Sequence, residues 1–372
     1  MQRIVELKSK KDVLDFIKFP FSLYGGDPMY SPLPVMEQKK LFDPGKNPFY
    51  KDAQVKLYLL ERDGRRLGRI ASIIDRRHLE YHNDGAGFFG FYESVNDTSA
   101  ACALLDRAAA DIKAAGLKTM RGPMNFSTNE ECGFQVEGFE NPPMIMTPCN
   151  PAWYNDLMSA CGMRKAKDLI AYIRDMALPL PEKVRRVAAL AEKKGVTVRL
   201  ADMKRLRREL AVFREVYNSS WKDNWGFIPI TLEEVDNMAK QLKGVLVPEL
   251  TIIAEAAGGP VGFLGIVPDI NQALRVLGGR LTPLRILKAL LRFRKMDAVR
   301  LMLLGVKSEW RGRGVEALMI RQGFDGIRSF GEKYKRIEFS WILEDNLPII
   351  HISEMIGGHV YKRYRIYERE VY

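Results

Sequence analysis

The stretch Leu303-Leu304-Gly305-Val306-Lys307-Ser308-Glu309-Trp310-Arg311-Gly312-Arg313-Gly314-Val315 joins two apolar runs of different period. The run before it, Val299 to Val306, reads as a strand; the run after it, Val315 to Phe330, reads as a helix that Gly331 stops. Between them the glycines let successive backbone N–H groups converge, and the helix start adds partial positive charge. Together they make an anion site of diphosphate size, flanked by Arg311 and Arg313. The plainer reading of the same residues is a sharp strand-to-helix turn with surface arginines. Gly-x-Gly-x-x-Gly is absent, which disfavours a dinucleotide fingerprint.

Working outward, the same order of elements occurs twice. In the second half, Leu250 to Ala254 and Val261 to Val267 flank Gly258-Gly259-Pro260, a hairpin signal. Arg336 to Leu343 reads as a later strand, and Asn346 opens a short helix with Pro348 in its first turn. Gly358 follows twelve residues after Asn346, before the strand Tyr361 to Arg369. In the first half, Val55 to Leu60 and Leu67 to Ile74 flank Asp63-Gly64, and Phe88 to Glu93 is an aromatic strand read as core. A helix from Ser99 to Ala115 buries Leu104, Leu105, Ala108 and Ile112, and the strand Lys118 to Arg121 follows it. Asn150 then opens a helix, Gly162 follows twelve residues later, and Lys165 to Arg174 is the closing strand. Both asparagines suit N-caps.

Amphipathic helices open each half: Lys11 to Phe19 in one, Met203 to Tyr217 and Leu232 to Leu242 in the other. The prolines of Leu178-Pro179-Leu180-Pro181 mark the break between halves. Asn125 to Cys149, rich in Gly, Pro, Asn and Glu, reads as an extra surface loop of the first half.

At this point the sequence resembles the GNAT (acyl-CoA N-acyltransferase) superfamily. Val306 to Gly314 is similar to its Val-x4-Arg/Gln-Gly-x-Gly signature, and Asn346 with Gly357-Gly358 resembles its closing Asn-to-Gly segment. The strong motif covers Val299 to Gly358; the first half matches by element order, Asn150 and Gly162. The resemblance implies an α/β (α+β) fold of two tandem GNAT-like domains, 1–177 and 178–372, each a mixed, mostly antiparallel sheet flanked by helices. The first is expected to be degenerate.

The resemblance further implies acetyl-CoA or another acyl-CoA as cosubstrate. Backbone at Leu304 to Val306 would pair with its pantetheine arm, and the N–H near Val306 would polarise the thioester carbonyl. Arg311, Gly312, Arg313 and Gly314 would hold the diphosphate, and Asn346 would lie beside it. A bulky residue at Gly314 is then expected to abolish CoA binding without unfolding the chain. Two positions depart from the pattern. Glu316 stands where Gly or Ala is usual, and Ser353 where a Tyr often protonates the leaving thiolate. Tyr361, Tyr364 and Tyr367 are the replacements at hand. Glu338 and Glu344 are the preferred general bases for the attacking amine.

The expected reaction is acyl transfer to a small-molecule or peptide amine. The alternatives are a non-catalytic CoA-binding module and an aminoacyl-tRNA-dependent transferase, the latter suggested by the net charge of +12. That charge is spread rather than blocked, which disfavours nucleic acid. The polar start and the lack of any run of about 18 apolar residues predict a cytoplasmic protein without stable membrane insertion. Cys102, Cys132, Cys149 and Cys161 are far apart and read as buried thiols. Asp75, His78 and His82 have a spacing a metal could use, but a charged connection is the default and no metal is expected. Trp221 to Phe227 is read as a cover for the acceptor site. Leu284 to Met296 is basic and amphipathic; it is read as a solvated helix packed by Leu287, Leu290 and Leu291, in preference to a membrane or nucleic-acid contact.

Overall fold

The computed structural model describes residues 1–242 and 244–371. The first part of the chain runs through β1 (Gln2–Glu6), α1 (Lys10–Leu23), α2 (Val35–Leu41), β2 (Ala53–Arg62), β3 (Arg65–Asp75), α3 (Arg76–His82), β4 (Ala86–Ser94) and α4 (Thr98–Ala114). It continues with β5 (Thr119–Gly122), β6 (Phe134–Glu137), α5 (Trp153–Ala160) and β7 (Arg164–Asp175). The second part runs α6 (Glu182–Lys193), β8 (Thr197–Leu200), α7 (Leu206–Ser220), α8 (Leu232–Leu242), β9 (Thr251–Ala256), β10 (Gly259–Pro268), α9 (Asn271–Leu277) and α10 (Pro283–Arg294). β11 (Ala298–Val306), α11 (Val315–Arg328), β12 (Arg336–Leu343), α12 (Leu347–Met355) and β13 (His359–Glu370) complete it.

Two compact units are built from this chain, and they interleave along it. One comprises Met1–Leu169, Asn271–Leu290 and the chain from Lys362 onward; the other comprises Ile170–Ile270 and Leu291–Tyr361. In the first unit the strand order is β1-β2-β3-β4-β5-β13, with β6 also paired to β13. Its only parallel neighbours are β4 and β5. In the second the order is β7-β12-β11-β10-β9-β8, with β11 and β12 parallel and β10 antiparallel to both β11 and β9. Two strands carry the chain from one unit to the other: β7 enters the second unit at Ile170, and β13 enters the first at Lys362.

Each sheet buries one helix stripe. Leu104, Leu105, Ala108 and Ile112 of α4 are fully buried, as the 3.6-residue period predicts. Val315, Leu318, Met319, Phe324 and Ile327 of α11 do the same in the second unit. Asp63-Gly64 and Ala257-Gly258 make the hairpin turns, all four residues at positive φ.

Four sequence readings are corrected. Asn150 does not cap α5, which starts at Trp153. Its side chain accepts from the Gln135 N–H (2.7 Å) and donates to the Gln135 carbonyl (3.3 Å), standing in for a strand neighbour. Asn346 precedes α12 but makes no side-chain cap, because Pro348 lies in the first turn and has no N–H to give. Leu287, Leu290 and Leu291 do not pack: they are 56%, 58% and 52% exposed. Cys102 and Cys161 are joined as a disulfide across 59 residues, tying α4 to the end of α5. The pairing has no sequence signature because neither spacing nor context marks it. Reducing it is expected to cost about 2–4 kcal/mol, read as a lower thermal midpoint with dithiothreitol than without. In a reducing compartment the pair is held as thiols and that contribution is absent.

Candidate active site

β11 and β12 are hydrogen-bonded only from Ala298/Arg336 to Leu301/Phe339. Beyond that pair β11 continues to Val306 and β12 to Leu343, so the two strands diverge and a cleft opens between them. It is lined by Leu301, Met302 and Leu304 from one strand and Phe339 to Leu343 from the other, with Ile349, Ile352 and Ser353 of α12 behind. The lining carries no charged residue; its polar side chains are Asn224, Ser340, Asn346, Ser353 and two tryptophan N–H groups.

The backbone at this opening is oriented by pairing on the far side. The Lys307 N–H donates to the Val261 carbonyl (2.9 Å), and Gly305 faces Phe263 across β10. Strand alternation then turns the backbone groups of Leu304 and Val306 away from β10 and towards the gap. The Val306 carbonyl accepts from Arg311 Nε at 3.3 Å.

The turn out of β11 ends in two glycines at positive φ, Gly312 (+70°) and Gly314 (+87°). Among the described residues the N–H groups of Gly312, Arg313 and Gly314 have no hydrogen-bond partner, and they lead directly into α11. Unused donors at a helix start are what an anion of diphosphate size requires. The two arginines brace the loop. Arg311 donates to the Ser220 carbonyl at the end of α7, and Arg313 stacks on Trp310 at 4.9 Å.

Trp221, just past α7, stacks on Tyr217 at 4.8 Å and lies against Gly305 so closely that a Cβ there would be 2.3 Å from the indole. Of the segment after α7, Trp221 and Asn224 line the cleft.

No family model matches the chain. Two proteins are similar along nearly its whole length. The "Bacterial ceramide synthase" of Caulobacter vibrioides is 35% identical, over 98% of this chain and 97% of that protein. "Protein YghO" of Escherichia coli is 32% identical, over 98% and 94%. Among solved structures, a tandem GNAT protein from the clavulanic acid biosynthesis pathway superposes with a TM-score of 0.55 over 100% of this chain and 99% of that one, at 11% identity.

The chain belongs to the family of these two relatives, and its fold is tandem GNAT.

Within this GNAT frame the residues singled out from sequence fall into three groups. Leu304, Asn346 and Ser353 line the cleft, and Val306, Arg311, Gly312, Arg313 and Gly314 belong to the turn that leads from the end of β11 into α11 and are not among its lining residues. The Ser353 hydroxyl donates to the Ile349 carbonyl one turn back, at 2.9 Å. Glu344 follows Leu343, the last residue of β12, and is not among the lining residues. Glu338 is set apart, fully buried on β12. One of its oxygens accepts from Ser340 and sits 3.2 Å from Arg300 Nε, and the other accepts from the Tyr361 hydroxyl. Arg300 lies over the Trp341 ring at 5.2 Å. Sequence reasoning missed Arg300, since a single basic residue on an apolar strand gives no sign of what it faces.

Of the tyrosines, Tyr361 is committed to Glu338, and the Tyr367 hydroxyl donates to Asn155 (2.9 Å) in the first unit.

In the first unit the corresponding gap is occupied by the chain itself. β4 and β5 also part, after Phe88/Arg121, but the gap is filled. The Met124 N–H donates to the Phe89 carbonyl (2.8 Å), the Asn125 side chain accepts from the Phe91 N–H (2.7 Å), and Phe126 is 1% exposed among Phe42, Phe49 and Phe91. The segment expected to be a surface loop therefore begins as a plug. The helix start is filled as well. Asp97 caps α4 through the Ala100 N–H (3.0 Å), putting a carboxylate where an anion would bind, and Arg62 holds it ionised well below the usual carboxylate range. Asp75 and His78 likewise have local work: Asp75 caps α3, and His78 Nε2 lies 3.1 Å from Asp84.

Glu316 sits in the first turn of α11, and burial raises its pKa above the ordinary 4.5. A carboxyl with a raised folded-state pKa favours the folded protein when protonated, so its contribution is lost as pH climbs through that value. Glu316→Gln is therefore expected to raise the thermal midpoint more at pH 8 than at pH 4. It should also tighten binding of a CoA thioester about two- to fivefold at pH 8, the scale of one charge at a helix start. Calorimetry at the two pH values checks both.

Proposed function

We propose that this chain is an acyl-CoA-dependent N-acyltransferase that joins a long-chain acyl group to the amine of a long-chain amino alcohol, giving an amide of the ceramide class. The observation that carries the reading is the uncharged, apolar cleft between the diverging strands, together with the unpartnered N–H groups in the turn that follows β11. The loop suits the diphosphate of CoA and the cleft suits a hydrocarbon chain. The similarity to a protein called bacterial ceramide synthase supports the same acceptor class.

In this reading the backbone N–H of Val306 faces the thioester oxygen, and Leu304 pairs with the pantetheine arm. The amine attacks the thioester carbon; the C–N bond forms as the C–S bond breaks. The amine's proton passes to Glu344 and on to solvent, and the leaving thiolate takes a proton from solvent and departs as CoA thiol. Glu338, with both oxygens engaged, holds Ser340 and the end of β12 in place. Ser353 packs α12 against the cleft.

The test is purified protein with palmitoyl-CoA and sphinganine, following free thiol release and the N-acyl product by mass spectrometry, beside acetyl-CoA with short amines. Thiol release and amide formation with the long-chain pair support the reading. No product from any long-chain acyl-CoA and sphingoid base overturns it.

A further inference from the structure

The helix α10 (Pro283–Arg294) presents an apolar face to solvent. Leu284, Leu287, Leu290 and Leu291 are each more than half exposed, and Leu281 just before the helix is 47% exposed. At about 100° per residue these four leucines share one face, with Arg294 among them at the helix end, while Arg285, Lys288 and Arg292 lie together on the adjoining arc. Ala289, the one fully buried side chain of the helix, lies beyond that basic arc. The helix is thus held to the protein along a narrow line, and its leucines face outward. A run of this size is unusual on a monomer and marks a contact surface.

Charge identifies the occupant. Every charged residue from Ile270 to Met296 is Arg or Lys, and the first acidic residues on either side are Asp269 and Asp297. A second copy of the chain would bring the same positive charge to the contact, within a protein of net charge +12. A protein groove could cover the leucines but would not account for a basic arc uninterrupted by acids.

We infer that α10 is an interfacial anchor that lays the enzyme on an anionic phospholipid bilayer, leucines in the acyl-chain boundary and Arg285, Lys288 and Lys295 at the headgroups. No described helix is long and apolar enough to cross a membrane, so the contact is peripheral and reversible. The helix ends four residues before β11, the strand whose Met302 and Leu304 line the cleft, so the anchor and the site share one short connection.

The inference is independent of the proposed reaction, because it is read without turnover. The full-length protein is sedimented with vesicles of phosphatidylcholine alone and of phosphatidylcholine mixed with phosphatidylglycerol. Wild type is expected to bind the anionic vesicles, more weakly as salt rises. Leu287→Glu with Leu291→Glu is expected to lower that binding at least about tenfold, and Lys288→Glu with Lys295→Glu to lower it several-fold. All four positions are exposed, so thermal midpoint and acyl-CoA binding should stay unchanged. Failure of wild type to bind either vesicle, or equal binding by the leucine variant, overturns the inference. So does sedimentation velocity showing a wild-type dimer that the leucine variant dissociates, with no vesicle binding.

Discussion

Gly312→Asp lowers acyl-CoA binding about 100-fold or more while the protein stays folded. A carboxylate about 4 Å from a diphosphate charge costs up to about 4 kcal/mol at an effective dielectric of about 20, and roughly 3 kcal/mol is already a hundredfold. Gly312 is the clean position for this test. Its φ of +70° makes a side chain there strained, but a Cβ would meet nothing within 4 Å. Asn and Asp tolerate the left-handed region better than most residues. Gly312→Asn therefore serves as control, sharing the strain without the charge, and should retain most of the binding. Gly314, the position chosen from sequence, is not clean. A Cβ there would lie 2.9 Å from the Val187 carbonyl and 3.3 Å from Ala191 on α6, so a bulky residue disturbs helix packing together with the loop. Calorimetry on both Gly312 variants decides the assignment; equal affinity for the two would remove the diphosphate from this loop.

Arg300→Ala is expected to destabilise the second unit by about 3–5 kcal/mol. Glu338 is 0% exposed, and Arg300 is its cationic partner at 3.2 Å. Removing the cation leaves a buried carboxylate held only by neutral hydroxyls. Replacing both residues, Arg300→Met with Glu338→Leu, removes the unpaired charge and should recover most of the loss. Urea titrations of the single and double variants separate a buried ion pair from simple packing. If Arg300→Ala costs under about 1 kcal/mol, the pair is exposed to water in solution and Glu338 regains its standing as a general base.

What could be read from the sequence was local. The loop from Leu303 to Val315, the hairpin turns and the α4 stripe depend on residues within a few positions of each other, and they stand where period and turn chemistry put them. What could not be read was set by partners distant in the chain. Asn150 reads as a cap because its type suits one, yet its amide pairs with the backbone of Gln135 in β6. Glu338 reads from sequence as a preferred general base; in the fold Arg300, Ser340 and Tyr361 close round it. The Asn125 to Cys149 segment has loop composition, but Met124 to Phe126 lie buried against Phe89 and Phe91. Composition reports solubility of a segment; it does not report that a gap between strands needs filling.

The late arrival of β13 has a bearing on how such a chain assembles. The chain up to Asp175, on its own, lacks the strand that pairs with β5 and β6 in the first unit. Covalent connection makes the delivery of that strand an intramolecular event, at a local concentration fixed by the tether and not by expression level. Assembly should then be first order, with a refolding rate independent of protein concentration. Cleaving the tether at Leu178–Pro181 and mixing the fragments should restore a second-order dependence.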